Sequence, residues 1–291
     1  MTNERPKIVV FAYSEVGCVC LEELINDGAN VALVFTHEDD PDENIWFRSV
    51  KRIAAEHGIP ATTVQAQDPA AVDEVRKIAP DIIFSFYYRA MIPKEILKLP
   101  RLGAYNMHGA LLPRYRGRAC VNWAVLNGET ETGATLHVMT EEADKGDIIA
   151  QKAVPILFED TAYDVFLKVA GAARDILASC IRTIEAGTAA GVPQDETMAT
   201  KFGRRRPQDG KIDWSRPAVD IYNLVRALTH PFPGAFTYWN DKKVYIWKAL
   251  PVEGEAKPGE IVSRDPMLVG TGSGLLKILT LQADGETERN V

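Results

Sequence analysis

Asn106 and His108 stand two residues apart in the stretch AYNMHGALLPRYRGR, and their side chains could do chemistry together. In an extended strand this spacing turns both side chains to the same face, roughly 6 to 7 Å apart. An imidazole can gain and lose a proton near neutral pH, and an amide can donate and accept hydrogen bonds. The pair can therefore converge on one substrate.

Asp144 lies further along the chain, in the loop sequence TEEADKGD. A lone Asp in such a loop is most often a solvated turn residue. The loop could fold back over the same sheet edge, but spacing along the chain does not by itself bring this carboxylate to His108. The residues alone leave its role open.

The elements that must position these side chains alternate between strands and helices in the first part of the chain. The expected strands are 7–13, 31–37, 81–87 and 104–108. Helices are expected over 47–57, 69–79 and 93–98, between the second strand and the fourth. Alternating βα units predict a parallel, doubly wound α/β sheet. His108 would then end one strand, at the edge where such sheets bind ligands.

The rest of the chain predicts a different architecture. The runs 132–140 and 147–156 indicate a hairpin or an edge pair, and a long helix over 161–186 follows. Beyond a turn-rich segment, a helix near 217–228, a hairpin around Asn240 and Asp241, and further short strands indicate a small open β-barrel. We therefore expect a catalytic domain over 1–190, a linker over 191–210 and a C-terminal domain over 211–291.

Several common cofactor and metal motifs are missing. The turn FAYSEVGC lacks the glycine pattern of a dinucleotide site, and no P-loop, zinc-protease or serine-esterase motif occurs. The histidines do not have metal-ligand spacing, which predicts no metal site. Apart from His108, they are interpreted as isolated surface or hydrogen-bonded core residues: His37, His57, His137 and His230.

Composition narrows the class of protein. The 291 residues carry a formal net charge of −7, a mild argument against a protein devoted to binding nucleic acid. The chain shows neither a signal-peptide pattern nor an apolar run of the ~18 residues that a membrane helix needs. These features predict a cytoplasmic protein without membrane insertion. Its four separated cysteines are expected to be reduced and buried. The oligomeric state stays open.

The stretches NMHGALLPRYRG, ETGATLH and ADKGDII resemble, in order and spacing, the formyltransferases that use 10-formyltetrahydrofolate. The stretches VFTHEDDP, DIIFSFYYRAMI and FGRRRP look most like the family members that act on UDP-4-amino-4-deoxy-L-arabinose in lipid A modification. The resemblance implies a Rossmann-like catalytic domain followed by an open, OB-like β-barrel.

The resemblance also implies a catalytic trio of Asn106, His108 and Asp144. The amide would stabilise an oxyanion, the imidazole would move protons, and the carboxylate would orient the imidazole. The implied formyl donor is 10-formyltetrahydrofolate, with no metal. The residues expected to contact the folate are Ala90, Met91, Ile92, Arg118, Thr140, Glu141, Glu142, Ala143 and Asp144.

Three acceptors are compatible with the family: a nucleotide-linked amino sugar, methionyl-tRNA and a small purine precursor. Purine-pathway members resemble only the N-terminal domain, and the loop 37–46 has five carboxylates with no Lys or Arg, which would repel a phosphodiester. An amino sugar is therefore the favoured acceptor, with Arg204 or Arg205 expected at its diphosphate. A formyltetrahydrofolate hydrolase or an idle folate sensor would keep much of the same site.

Overall fold

The computed structural model describes residues 5–291 and divides into two compact units. The first contains residues up to 117, with 132–154 and 167–201; the second contains 118–131, 155–166 and 202–291. Each unit has its own principal sheet.

Residues 5–291 contain fifteen strands and seven α-helices. The strands are β1 Lys7–Ala12, β2 Asn30–Phe35, β3 Ala61–Thr62, β4 Ile82–Phe86, β5 Gly103–His108, β6 Arg116–Gly117, β7 Glu131–Val138, β8 Ile148–Pro155, β9 Lys201–Phe202, β10 Ala235–Trp239, β11 Lys242–Val252, β12 Ile261–Arg264, β13 Met267–Gly270, β14 Leu275–Ala283 and β15 Arg289–Asn290. The helices are α1 Ser14–Asn26, α2 Val50–Glu56, α3 Pro69–Ile78, α4 Lys94–Leu97, α5 Cys120–Leu126, α6 Ala162–Glu185 and α7 Ala218–Leu228.

The first sheet has seven strands in the order β3-β2-β1-β4-β5-β7-β8. Strands β3, β2, β1, β4 and β5 run parallel, whereas β7 pairs antiparallel with β5. The expected fold class is therefore confirmed for this domain. The runs expected to form an edge pair, β7 and β8, lie side by side at the end of the sheet.

Apolar runs explain why these strands are central. Burial is complete along most of β1 and β4, as expected for parallel strands covered on both faces. The rings of Phe11 and Phe35 stack with centroids 4.5 Å apart inside this core. Fully burying one such side chain contributes about 1.5–3 kcal/mol. The core thus fixes the strands that carry the site.

Local signals set the helix boundaries. The Asp68 carboxylate accepts from the Ala70 backbone N–H at 2.9 Å, and a proline opens α3. Helix α2 begins at Val50 because the Ser49 hydroxyl accepts from the backbone N–H of Arg52. The helix expected over 47–57 therefore begins three residues later than the sequence predicts. The long helix expected over 161–186 is α6.

The second unit contains a six-stranded antiparallel sheet in the order β10-β11-β14-β13-β12, with β15 paired to β14. The expected hairpin is confirmed between β10 and β11, where Asn240 and Asp241 both have positive φ. Helix α7 contributes Ile221 and Val225 to the core of this unit. The C-terminal domain thus has its own antiparallel sheet.

The four cysteines are free thiols and buried, as expected. Between residues 5 and 291, no helix is both long and apolar enough to cross a membrane.

Candidate active site

Strand β5 places Asn106 and His108 as the sequence predicts. His108 is the last residue of the strand, and its side chain is 7% exposed. In the antiparallel register, Asn106 faces His137 and His108 faces Thr135 on β7. The two catalytic candidates therefore lie on one face of the sheet.

The loop after β7 brings Asp144 to the same place. Because β7 runs antiparallel to β5, it ends beside Tyr105, and the loop then folds back. The Asp144 Oδ1 atom lies 3.5 Å from Nδ1 of His108. Its Oδ2 atom accepts a hydrogen bond from the Gly117 backbone N–H at 2.9 Å. The structure thus brings together the three residues that the resemblance implies.

The Asp144 carboxylate is held in its charged form. Burial by itself would raise the pKa of Asp144, but the neighbouring imidazoles of His108 and His137 and the hydrogen bond from Gly117 outweigh that effect and lower the pKa below its ordinary range. Asp144 is therefore an anion when it faces the imidazole.

The imidazole of His108 is fixed at its other nitrogen. Nε2 lies 2.8 Å from the backbone carbonyl oxygen of Tyr115, which can only accept a hydrogen bond. Nε2 therefore carries a proton, and Nδ1 is the nitrogen left to exchange one. That nitrogen faces Asp144, so a proton gained there is stabilised by the carboxylate.

His137 is a hydrogen-bonded core residue, as interpreted from the sequence, but it is not isolated from the other candidate site residues. It is 2% exposed, and its Nε2 atom lies 3.1 Å from Asn106 Nδ2 and 3.6 Å from Asp144 Oδ1. Its Nδ1 atom lies 2.8 Å from the carbonyl oxygen of Val138. The sequence contained one usable signal: His137 ends the stretch ETGATLH, but only the β5–β7 register shows that it faces Asn106.

A buried arginine supports the loop that carries Asp144. The Gln194 side chain donates to the backbone carbonyls of Asp144 and Gly146, at 2.9 and 2.7 Å. Arg116 in turn donates to Gln194 and forms an ion pair with Glu196 at 2.6 Å. Arg116 is 5% exposed, so this buried guanidinium stabilises the loop through Gln194 and not by reaching the substrate side.

The residues expected to contact the folate lie in three segments. Ala90, Met91 and Ile92 follow the carboxyl end of β4; Met91 is 54% exposed, whereas Ile92 packs into the core. Thr140 to Asp144 form the loop after β7, in which the Thr140 hydroxyl donates to the Glu142 carbonyl at 2.8 Å. Arg118 is exposed just before α5. The role of these residues in folate binding stays a prediction.

The two candidate diphosphate ligands differ in environment. The Arg205 guanidinium lies 4.6 Å above the Trp123 ring and donates to the Asp209 carbonyl at 3.0 Å. Burial lowers the pKa of Arg205. Arg204 is exposed. The structure therefore leaves Arg204 accessible and gives Arg205 a packing role.

The acidic loop at 37–46 is partly neutralised by cations from other segments. Glu38 pairs with Lys51 at 2.8 Å, and Glu43 pairs with Arg89 at 2.5 Å. Asp39 accepts from the Tyr13 hydroxyl at 2.8 Å. The loop still contributes no Lys or Arg of its own.

Comparison with known families decides the class of the protein. A family model described as formyl transferase matches residues 7–181, and the model of the formyl transferase C-terminal domain matches residues 205–290. The chain belongs to the formyl transferase family. The first match begins at β1 and ends within α6, and the second ends at β15. The first match contains Asn106, His108 and Asp144. This formyl transferase is therefore an enzyme.

Solved structures share the fold of this formyl transferase. An N-formyltransferase from Helicobacter canadensis, in complex with folinic acid and dTDP-3-aminofucose, is 21% identical with a TM-score of 0.75, covering 96% of this chain and 98% of that one. The sugar 3N-formyl transferase WlaRD, solved with dTDP and 5-N-formyl-THF, is 22% identical with a TM-score of 0.74, covering 98% and 100%.

A third structure contains the same fold within a longer chain. HypX from Aquifex aeolicus, in complex with tetrahydrofolic acid, is 20% identical with a TM-score of 0.68. The alignment covers 99% of this formyl transferase but only 46% of HypX. At these identities the likeness establishes the shared fold, and the acceptor has to be argued from the site.

Proposed function

We propose that this formyl transferase moves the formyl group of 10-formyltetrahydrofolate to the amine of a nucleotide-linked amino sugar. The observation that carries the proposal is the convergence of Asn106, His108 and Asp144 on one face of β5. An amide donor, an imidazole and a carboxylate are the groups that acyl transfer to an amine requires.

The reaction begins when the acceptor nitrogen attacks the formyl carbon. The carbonyl oxygen then carries negative charge in a tetrahedral intermediate, and a hydrogen bond from the Asn106 amide stabilises it. One preorganised donor of this kind contributes on the order of 3–4 kcal/mol to the transition state. Asn106 needs no charge for this role.

His108 moves the proton that the reaction displaces. The attacking nitrogen loses a proton as the C–N bond forms, and Nδ1 of His108 is the nitrogen free to take it. When the intermediate collapses, the bond to the folate nitrogen breaks and that nitrogen needs a proton. The same imidazole returns one there, so the products are a formamide and tetrahydrofolate.

Asp144 makes this exchange favourable. The imidazolium that forms at His108 faces a carboxylate whose nearer oxygen is 3.5 Å away. An opposite charge at this distance favours the protonated ring and fixes its orientation. Asp144 remains a carboxylate throughout and forms no covalent bond to the substrate.

Two observations support a nucleotide-linked amino sugar as acceptor. The structures from Helicobacter canadensis and of WlaRD contain dTDP-3-aminofucose and dTDP, respectively, with a folate. The 37–46 loop favours a cationic amine over a phosphodiester because two of its five carboxylates are paired with cations and the other three leave it net negative. The resemblance of VFTHEDDP, DIIFSFYYRAMI and FGRRRP makes UDP-4-amino-4-deoxy-L-arabinose the specific proposal.

Arg204 is the residue that we assign to the diphosphate of the acceptor. Its exposed guanidinium can form a bidentate pair with phosphate oxygens, whereas Arg205 is stacked on Trp123. The folate would contact Ala90 to Ile92, Arg118 and the 140–144 loop.

The test is an acceptor panel read by mass spectrometry. The protein is given 10-formyltetrahydrofolate with UDP-4-amino-4-deoxy-L-arabinose, with dTDP-amino sugars, or with methionyl-tRNA. The expected result is a product 28 mass units heavier from an amino sugar, the mass of CO, with the UDP-linked arabinose sugar turned over fastest. Formylation of tRNA alone would overturn the acceptor, and formate release in every tube would indicate a hydrolase.

A further inference from the structure

We propose that His137 is a positioning residue for formyl transfer, which holds the Asn106 amide in the orientation that stabilises the oxyanion. This inference rests on the proposed role of Asn106. It assigns a function to a buried histidine outside the trio. The proposed role depends on which nitrogen of the imidazole carries the proton.

The backbone determines the protonation of His137. Nδ1 lies 2.8 Å from the carbonyl oxygen of Val138, and a carbonyl oxygen can only accept. Nδ1 therefore carries a proton. In the neutral ring, Nε2 then has a lone pair and acts as an acceptor.

That lone pair selects the orientation of Asn106. Nε2 of His137 lies 3.1 Å from the side-chain nitrogen of Asn106. If the amide were turned over, its oxygen would face the lone pair and the hydrogen bond would be lost. One N–H of the amide is thus used by His137, and its second N–H remains available for the formyl oxygen.

In the tautomer that accepts from Asn106, Nε2 of His137 has no proton to donate to Asp144, so the carboxylate is left to His108. Asp144 Oδ1 lies 3.6 Å from Nε2 of His137 and 3.5 Å from Nδ1 of His108. A protonated His137 would attract the same carboxylate oxygen and could no longer accept from Asn106. The two histidines therefore have different tasks, with the proton exchange confined to His108.

The strand register makes this arrangement rigid. Asn106 and His137 are direct partners across the antiparallel β5–β7 pair. Side chains of directly opposed residues lie about 4.5–5.5 Å apart at Cβ, close enough for a fixed contact. His137 is 2% exposed, which excludes water from the contact. The amide is thereby oriented before substrate binds.

The experiment compares two substitutions of His137. His137→Gln keeps a side-chain acceptor near the position of Nε2, whereas His137→Phe keeps the ring volume and removes it. We expect His137→Phe to lower kcat by about 10- to 100-fold with little change in the KM for folate, because only the transition state needs the oriented donor. The Gln variant should retain at least several-fold more activity than the Phe variant. Equal activity of the two variants would overturn the inference.

A double-mutant cycle with Asn106→Ala separates positioning from a general structural effect. If His137 acts through Asn106, His137→Phe should cause no further loss of kcat once the amide is gone. An equal fold-loss in both backgrounds would refute the proposal. His57→Gln, a change at an exposed histidine that ends α2, is the matched control and should leave kcat unchanged.

A spectroscopic measurement on the unmutated protein covers the case in which the variants fold poorly. The two-bond ¹H–¹⁵N spectrum of the histidine rings should show His137 with a proton on Nδ1 and none on Nε2. The opposite tautomer would contradict the inference.

The outcomes also separate this inference from the proposed function. If Asn106→Ala transfers formyl normally, the trio itself is wrong. If Asn106→Ala is inactive while His137→Phe has full activity, only the role of His137 is wrong.

Discussion

Oδ1 of Asp144 lies 3.5 Å from Nδ1 of His108, although the residues come from a loop and from a strand well separated in the sequence. The contact joins a carboxylate that stays charged to the one imidazole nitrogen left free for proton exchange. We propose that this contact is the acid–base centre of the formyl transferase.

Removing the proton-exchanging group should abolish turnover without unfolding the protein. We expect His108→Asn to lower kcat for formyl transfer by about 10²- to 10⁴-fold, the usual contribution of a general acid–base. The measurement is the initial rate of formamide production at saturating donor and acceptor. His230→Gln, at an exposed histidine paired with Glu288, is the control and should keep its rate. Full activity of His108→Asn would remove His108 from the mechanism.

The lowered pKa of Asp144 predicts how its contribution to stability depends on pH. Its folded-state pKa is below the ordinary value of 3.8, so its contribution to stability is fully present above that value and is lost as pH falls through the folded pKa. The difference in unfolding free energy between the protein and Asp144→Asn should therefore not shrink from pH 8 to about pH 5, because Asp144 stays charged over this whole range. Urea unfolding across this range measures it. A difference that shrinks between pH 7 and pH 5 would show that the pKa is raised instead.

The sequence predicted the part of the site that depends on one strand. The two-residue spacing of Asn106 and His108, and their position at the end of β5, follow from local periodicity alone. The position of Asp144 depends on a loop that Gln194 and Arg116 hold from a distant segment, which no local pattern encodes. Only the family resemblance indicated it.

His137 was missed for a different reason. Its strand was correctly expected beside β8, but its pairing with β5, and the register that sets it opposite Asn106, are long-range properties of the sheet. Likewise, the triple-arginine motif gave no sign that Arg205 is stacked on Trp123 while Arg204 is exposed. The domain limits, the folate contacts and the cytoplasmic location remain predictions.

The loop that holds Asp144 should be intolerant of a side chain at Gly146. A Cβ atom there would lie 1.9 Å from the carbonyl oxygen of Val138, so the backbone would have to move. We expect Gly146→Ala to displace Asp144 and lower kcat by about 10²-fold, as a 1 Å misplacement of catalytic groups can do. Steady-state kinetics and thermal unfolding measure the effect.

Gly171 provides the matched control for that substitution. It lies within α6, and a Cβ atom there would meet nothing within 4 Å. Gly171→Ala should leave kcat unchanged and stabilise the protein by about 0.5–1 kcal/mol, because alanine is the better helix former. Equal losses of activity in the two variants would contradict the role assigned to the loop.

The two arginines of the FGRRRP stretch should separate substrate binding from stability. Arg204→Ala is expected to raise the KM for the nucleotide sugar about tenfold or more, since a charge-assisted pair with phosphate is lost, while the KM for folate stays constant. Arg205→Ala removes the stacking on Trp123 and should lower the melting temperature. A raised sugar KM in the Arg205 variant alone would reverse the assignment.

The central claim is that the trio couples loss of formyl from the folate to formylation of an amine. The most direct measurement is the stoichiometry of tetrahydrofolate, formylated sugar and free formate, with and without UDP-4-amino-4-deoxy-L-arabinose. We predict one formylated sugar for each tetrahydrofolate, with negligible formate and negligible turnover when the sugar is omitted. Tetrahydrofolate and formate appearing at the same rate without any amine would contradict the account.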